Sequence, residues 1–424
     1  MRKLLATIVA ALLAIAALVL WLNLRGEDSI HDVPPLVPPT GETVARGAYL
    51  VKAGNCMACH TERGGAPFAG GAAIETPFGS VFASNITSDK ATGIGSWNAG
   101  EFWRAMHNGR SKDGRLLYPA FPYPNYTAVT RADSDAIYAY LQTVPAVSRA
   151  NKEHRLRWPY STQPALALWR AMYFSPAVHR DDTTQTAQWN RGAYLVRGLG
   201  HCSACHSSRN ALGASDEKAS LSGGLIPMQN WYAPSLTSPA EAGVADWEPM
   251  QIAKLLQTGV SDRGTVVGPM AEVVMKSTQH LEAEDLRAMA MYLKSLPQAA
   301  RADDSPGPPI TATVAARGAK LYEDNCVQCH GARGEGIPGA YPPLAGNRAV
   351  TMKVTANLVQ VVLGGGFAPA TEGNPRPYGM PPFATALSDA DIAAVLSHIR
   401  TSWGNASGAV SELSVTQQRS TVGP

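Results

Sequence analysis

Every cysteine in the chain falls inside one of three copies of a single pattern. The copies read Cys56-Met-Ala-Cys59-His60, Cys202-Ser-Ala-Cys205-His206 and Cys326-Val-Gln-Cys329-His330. C-x-x-C-H is the attachment signature of haem c. Two thiols add to the two vinyl groups of one porphyrin, so they must stand about one helical turn apart. The adjacent histidine is then held under the iron as its fifth ligand. Structural zinc would need four ligands per site, with closer pairs. A thioredoxin-like pair would sit beside a βαβ pattern, and none is visible. Disulfides would leave the three following histidines unexplained. The pattern therefore predicts three covalently bound haem c groups on Cys56, Cys59, Cys202, Cys205, Cys326 and Cys329. His60, His206 and His330 are the expected axial ligands.

The motifs sit inside a longer repeat. Arg46-Gly-Ala-Tyr-Leu-Val, Arg191-Gly-Ala-Tyr-Leu-Val and Arg317-Gly-Ala-Lys-Leu-Tyr precede them, each a short amphipathic helix running into the cysteines. One structural unit used three times explains such recurrence. Each copy also closes alike, with helices expected over residues 133–144, 284–296 and 388–403. Thr130, and Ser388 with Asp391 three positions later, are capping residues at two of the starts. Two helices around a haem, joined by Gly- and Pro-rich loops, are the layout of a small class I cytochrome c domain. The expected fold is therefore all-α, with domains at 43–148, 187–298 and 312–404.

Ahead of the first domain, Arg2 and Lys3 precede an uncharged apolar run from Leu4 to Leu24, closed by Arg25. At about 1.5 Å per residue this run can cross a hydrocarbon core of about 30 Å. A cleaved signal peptide is the competing reading. Its apolar region is shorter, however, and ends in small residues, whereas this run ends in Trp21-Leu22-Asn23-Leu24. Residues 1–25 thus read as a transmembrane anchor in a bacterial inner membrane. The basic N-terminus is cytoplasmic and everything after residue 25 periplasmic. Residues 26–42 hold Val33-Pro-Pro-Leu-Val-Pro-Pro39, a stiff spacer, and 299–311 form a second linker. Residues 149–186 are too aromatic for a free connector and should pack between the first two domains or against a partner. The tail, 405–424, reads as mobile. A net charge of +3, with no block of like charges, argues against nucleic acid.

The sixth iron ligand separates electron transfer from catalysis, and methionine opposite histidine favours transfer. Met380, in Gly379-Met-Pro-Pro-Phe383, lies 50 residues after His330, and Met270, in Gly268-Pro-Met270, lies 64 after His206. Both stand ahead of a closing helix and are the expected ligands. Met275 nearby reads as core. The first domain breaks the pattern, because Phe121 holds the matching place and cannot bind iron. Met106 and His107, in a helix expected over 100–108, are the remaining candidates, with Met106 preferred. The competing readings are core packing for Met106 and a solvated surface position for His107. The glycine run 364–366 lacks a preceding strand and reads as a loop near the third haem.

The whole resembles the three-haem cytochrome c subunits of membrane-bound periplasmic dehydrogenases that oxidise alcohols, aldehydes or sugar acids. The resemblance spans about residues 40–404. It rests on the three haem motifs, Ser84-Asn-Ile-Thr-Ser88 with Thr92-Gly-Ile-Gly-Ser-Trp97, and Asp113-Gly with Tyr118-Pro-Ala-Phe-Pro-Tyr123. Gly268-Pro-Met-Ala-Glu-Val-Val274 with Ser277-Thr-Gln-His280, and Gly379-Met-Pro-Pro-Phe383, complete it. It implies a catalytic partner subunit, quinone-, flavin- or molybdenum-dependent, with a small subunit beside it. Electrons would pass through the haems to ubiquinone or a terminal oxidase, making the chain wire and anchor. The retained N-terminal helix fits aldehyde-oxidising molybdenum enzymes better than quinoprotein alcohol dehydrogenases. Two other functions are compatible with the motifs: a peroxidase-like protein with an open first haem, and a free-standing respiratory carrier. No G-x-S-x-G, Walker A or H-E-x-x-H pattern is present.

Overall fold

The apolar run at the N-terminus is helical from Arg2 to Leu24 (α1), and its side chains are exposed along most of its length. The computed structural model describes residues 1–27, 30, 40–216, 220–298 and 308–420. Most of both expected linkers, 26–42 and 299–311, lies outside these residues. The chain divides into two units. The first holds residues 1–183, 194–204 and 210–214, and the second holds 184–193, 205–209 and 215–424.

In the first unit, Gly41–Ala53 forms α2, whose N-terminus is capped by the Thr40 hydroxyl accepting from Thr43 N at 3.2 Å. Ala99–Asn108 (α3) opens with a reciprocal Asn98–Glu101 capping box. Arg131–Leu141 (α4) starts at Thr130, as the sequence predicts. Ala73–Thr76 (β1), Gly79–Phe82 (β2) and Arg155–Leu156 (β3) make one antiparallel sheet in that order. Gln163–Tyr173 (α5) packs on α1. The aromatic segment 149–186, expected to pack between the first two domains or against a partner, carries a sheet strand and a helix.

In the second unit the helices include Ala187–Tyr194 (α6, in this unit through Ala193), Pro269–Lys276 (α7), Ala283–Lys294 (α8), Ala312–Asn325 (α9), Ala356–Gly364 (α10), Asp389–Thr401 (α11) and Glu412–Arg419 (α12). Tyr322, Val359, Leu363, Ile392, Leu396 and Val415 form one core, none more than 3% exposed. Burying each such large aliphatic side chain contributes about 1.5–3 kcal/mol. Residues 406–420, in the segment expected to be a mobile tail, are docked. Val415 of α12 is fully buried in that core. Arg419 Nε donates to Asp389 Oδ1 at 2.5 Å, and the buried Arg400 donates to Gly408 O at 2.9 Å. A single buried apolar residue in a polar helix leaves little periodicity to read.

One packing device recurs at three helix pairs. Gly47 of α2 lies so close to α4 that a Cβ would stand 1.9 Å from Ala136 O. The equivalent distances are 2.0 Å for Gly192 against Ala288 O and 2.2 Å for Gly318 against Ala394 O. Only glycine lets the two backbones approach so closely. The arginine before each glycine reaches the first turn of the closing helix. Arg46 meets Asp133 at 2.5 Å, Arg191 meets Asp285 at 2.6 Å and Arg317 meets Asp391 at 2.7 Å. These carboxylates also lie near helix N-termini, where negative charge is favoured. Helices dominate, as expected, but four small sheets accompany them, so the described fold is helix-rich rather than purely α.

Candidate haem sites

The first motif forms a short helix, Cys56–His60, entered through Asn55 at φ 51°. The second and third end on helices Ser203–His206 and Val327–His330. All six thiols are unbridged. Each motif histidine is held by a backbone carbonyl. His60 Nδ1 lies 2.7 Å from Ser84 O, His206 Nδ1 2.7 Å from Pro234 O, and His330 Nδ1 3.1 Å from Pro342 O. A carbonyl can only accept, so Nδ1 carries the proton and Nε2 carries the lone pair that a metal takes. Burial lowers all three imidazole pKa values below 6.5, against the opposing pull of the carbonyls. The neutral ring, the form that ligates iron, is therefore favoured. Paired thiols followed by a neutral, oriented imidazole are the donor set of haem c, and the residues present fit that group.

Met380 lies in a two-residue strand paired with Gly366–Phe367, half-buried against the core that includes Tyr322 and Leu363. The glycine run predicted as a loop provides that pairing, with Gly366 opposite Met380. Met270 is the second residue of α7 and half-buried. Met275, expected in the core, is 39% exposed on the same helix. In the first unit Phe121 packs on Tyr126 with ring centroids 5.4 Å apart, and the Tyr126 hydroxyl donates to Gly54 O at 2.9 Å. Met106 and His107 are both buried in α3. His107 is not on a solvated surface. Its ring stacks on Trp103 at 4.4 Å, and Nδ1 lies 2.8 Å from Thr127 O. Its carbonyl contact is of the same kind as those of the three motif histidines.

The cytochrome c family pattern matches residues 44–145 and 315–403. The chain is 39% identical over 403 residues to the cytochrome c subunit of alcohol dehydrogenase (quinone) from Gluconacetobacter polyoxogenes, covering 90% of this chain and 85% of that one. It is 38% identical over 398 residues to the gluconate 2-dehydrogenase cytochrome c subunit of Pantoea cypripedii, covering 85% and 86%. The fructose dehydrogenase cytochrome subunit of Gluconobacter japonicus is 34% identical over 405 residues, which are 89% of this chain and 82% of that protein. The chain belongs to the family of cytochrome c subunits of membrane-bound dehydrogenases. Its cofactor is covalently bound haem c.

This cytochrome subunit carries a further device that motif reading alone does not find. The carbonyl of each motif histidine accepts from a glycine N–H: Gly70 at 2.8 Å, Gly223 at 2.7 Å and Gly336 at 2.9 Å. All three glycines are left-handed, with φ of 73°, 84° and 68°. A Cβ on Gly70 would meet Ser84 C at 2.5 Å, and one on Gly336 would meet Pro342 C at 2.8 Å. Those are the residues whose carbonyls hold His60 and His330. At Gly223 the Tyr232 hydroxyl would stand nearest, at 2.4 Å, and the nearest backbone atom is Ser235 N, at 2.8 Å, one residue past Pro234. The glycine therefore ties the histidine backbone to the segment that orients its ring. The available signal was the likeness of Ser84-Asn-Ile-Thr87 to Pro234-Ser-Leu-Thr237, two stretches that follow their motifs at similar distances.

Proposed function

We propose that this chain is a triheme electron-transfer subunit with cytochrome c domains at 43–148, 187–298 and 312–404. It would carry electrons from a catalytic dehydrogenase subunit to ubiquinone or a terminal oxidase. What carries the reading is the threefold recurrence of one arrangement: a paired-thiol helix whose histidine is neutral, carbonyl-held and glycine-braced. The relatives named as alcohol, gluconate and fructose dehydrogenase cytochrome subunits support the partner class. Haem c, when bound, supplies the one-electron redox couple. Cys56, Cys59, Cys202, Cys205, Cys326 and Cys329 attach it, and His60, His206 and His330 present Nε2 to iron. Met270 and Met380 supply the sixth ligands of the second and third sites, where a thioether favours electron transfer. Met106, or else His107, supplies that of the first. The catalytic partner is quinone- or molybdenum-dependent, with a small subunit beside it. Helix α1 anchors the chain in the inner membrane with the haem domains on the periplasmic side, as Arg2 and Lys3 at its start favour.

The test is isolation of the intact assembly in mild detergent. Haem counting after acid–acetone extraction should give about three covalent porphyrins per chain, following the attachment motifs. Anaerobic addition of a primary alcohol, an aldehyde or gluconate should reduce them, and a short-chain ubiquinone should reoxidise them. A chain that migrates alone and stays oxidised with every such substrate sinks the proposal.

A further inference from the structure

Helix α5 meets the end of α1 at a defined level. Asn23 is the only buried residue of α1. Its amide donates to Val19 O and to Ala167 O of α5, both at 2.9 Å, and its Oδ1 accepts from Arg170 Nε at 2.9 Å. Two residues on, Arg25 donates to Phe174 O at 2.8 Å. Helix α5 is therefore tied from Ala167 to Phe174 to the last turn of α1 and the residue after it.

The two sides of α5 differ in chemistry. Leu166 and Arg170 face the first unit and are buried. Arg170 is the only charged residue of the helix, and it is turned inward, onto Gly109 O and over the rings of Tyr123 and Phe174. The opposite side carries Pro164, Leu168 and Met172, at i, i+4 and i+8, all exposed. Leu168 is 49% and Met172 51% exposed, with no charge among them. A water-facing helix of a soluble domain ordinarily carries charged residues there.

We propose that α5 is an interfacial helix. Its Pro164–Leu168–Met172 face would rest in the headgroup–acyl boundary of the bilayer that α1 crosses, fixing the tilt of the first cytochrome domain over the membrane. The occupant is lipid because α5 is joined through Asn23 and Arg25 to the end of α1, whose own apolar side chains are exposed along its length. Amphipathic helices of this kind lie in the interface plane. The proposal rests on the reading of α1 as a membrane span.

The experiment is site-directed spin labelling of the intact assembly in lipid nanodiscs, using Leu168→Cys, Met172→Cys, Leu13→Cys and Lys90→Cys. Collision with oxygen, which partitions into lipid, is compared with collision with a water-soluble nickel chelate. Labels at 168 and 172 should favour oxygen, at a shallower depth than the label at 13, and the label at 90 should favour nickel. Labels at 168 and 172 that behave like the one at 90 overturn the proposal while leaving the anchor intact. Protection of both from either reagent overturns it too, since a protein partner would then cover the face. A nickel-accessible label at 13 overturns the anchor reading itself.

Discussion

Arg46 Nη2 lies 2.5 Å from Asp133 Oδ1, while the other oxygen of that carboxylate takes the Tyr194 hydroxyl at 2.5 Å. Asp133 is 2% exposed, so its charge is stabilised by these partners rather than by water. Removing the carboxylate leaves the buried Tyr194 hydroxyl without this acceptor, while Arg46, 57% exposed, is solvated. Asp133→Ala should lower stability by about 2–3 kcal/mol. Asp391→Ala, whose own carboxylate is 22% exposed against 2% for Asp133, should cost less, about 1 kcal/mol, through loss of a cap and a weak ion pair. Urea titration followed by far-UV circular dichroism separates the two, and equal losses would contradict the burial argument.

The glycines at the helix crossings allow a sharper comparison. A methyl at Gly47, Gly192 or Gly318 meets a backbone oxygen at 2.2 Å or less, and a helix backbone cannot yield as a flexible side chain would. Each alanine variant should lose about 3 kcal/mol. Gly41→Ala, with nothing within 4 Å of its Cβ, should stay within about 0.5 kcal/mol of the parent. Thermal melts of the four variants measure this, and a neutral Gly47→Ala would mean the helix pair is looser than described.

Much of this architecture can be read from the chain. The closing helices expected over 133–144, 284–296 and 388–403 form at Arg131–Leu141, Ala283–Lys294 and Asp389–Thr401, and the Thr130 and Ser388 caps are in place. Long amphipathic helices with polar caps announce themselves locally. The β1–β2–β3 sheet does not, because strands of two to four residues are too short to show alternation. Ser84, Pro234 and Pro342 were equally invisible as holders of the motif histidines. A main-chain carbonyl has no side-chain signature, and only the likeness of Ser84–Thr87 to Pro234–Thr237 and the left-handed glycines beside them leave a trace.

The proposed ligation by Met270 and Met380 has a spectroscopic consequence. Porphyrin attachment through cysteine does not depend on the sixth ligand, so Met270→Ala and Met380→Ala should keep full haem staining. Each should lose a methionine–iron band and turn roughly a third of the ferric haem high-spin, with a lower potential at that site. Electron paramagnetic resonance with a redox titration reads both. Unchanged low-spin signals in either variant would remove that methionine from the ligand set.

The first site separates Met106 from His107 by the same measurement. If Met106 ligates, Met106→Ala removes a third methionine–iron signature and His107→Ala leaves the spectrum intact. If His107 ligates, the parent shows one bis-histidine signal that disappears in His107→Ala. A parent protein with one high-spin haem would exclude both residues and favour an open first iron, with ligand-binding chemistry there.

Acid stability should report the Ser388–Asp391–Arg317 cap. The Ser388 hydroxyl, and then the Arg317 guanidinium, hold the Asp391 carboxyl below the ordinary aspartate value of 3.8. A carboxylate whose folded pKa is depressed contributes stability above its unfolded pKa and loses it as pH falls through the folded one. The parent should therefore exceed Asp391→Asn in melting temperature near neutral pH. The gap should hold down to about pH 4 and close below it as the carboxyl protonates in the folded state as well. Melting curves for both proteins across acid pH provide the check. A gap that widens towards low pH would mean that Asp391 is not held as the charged cap.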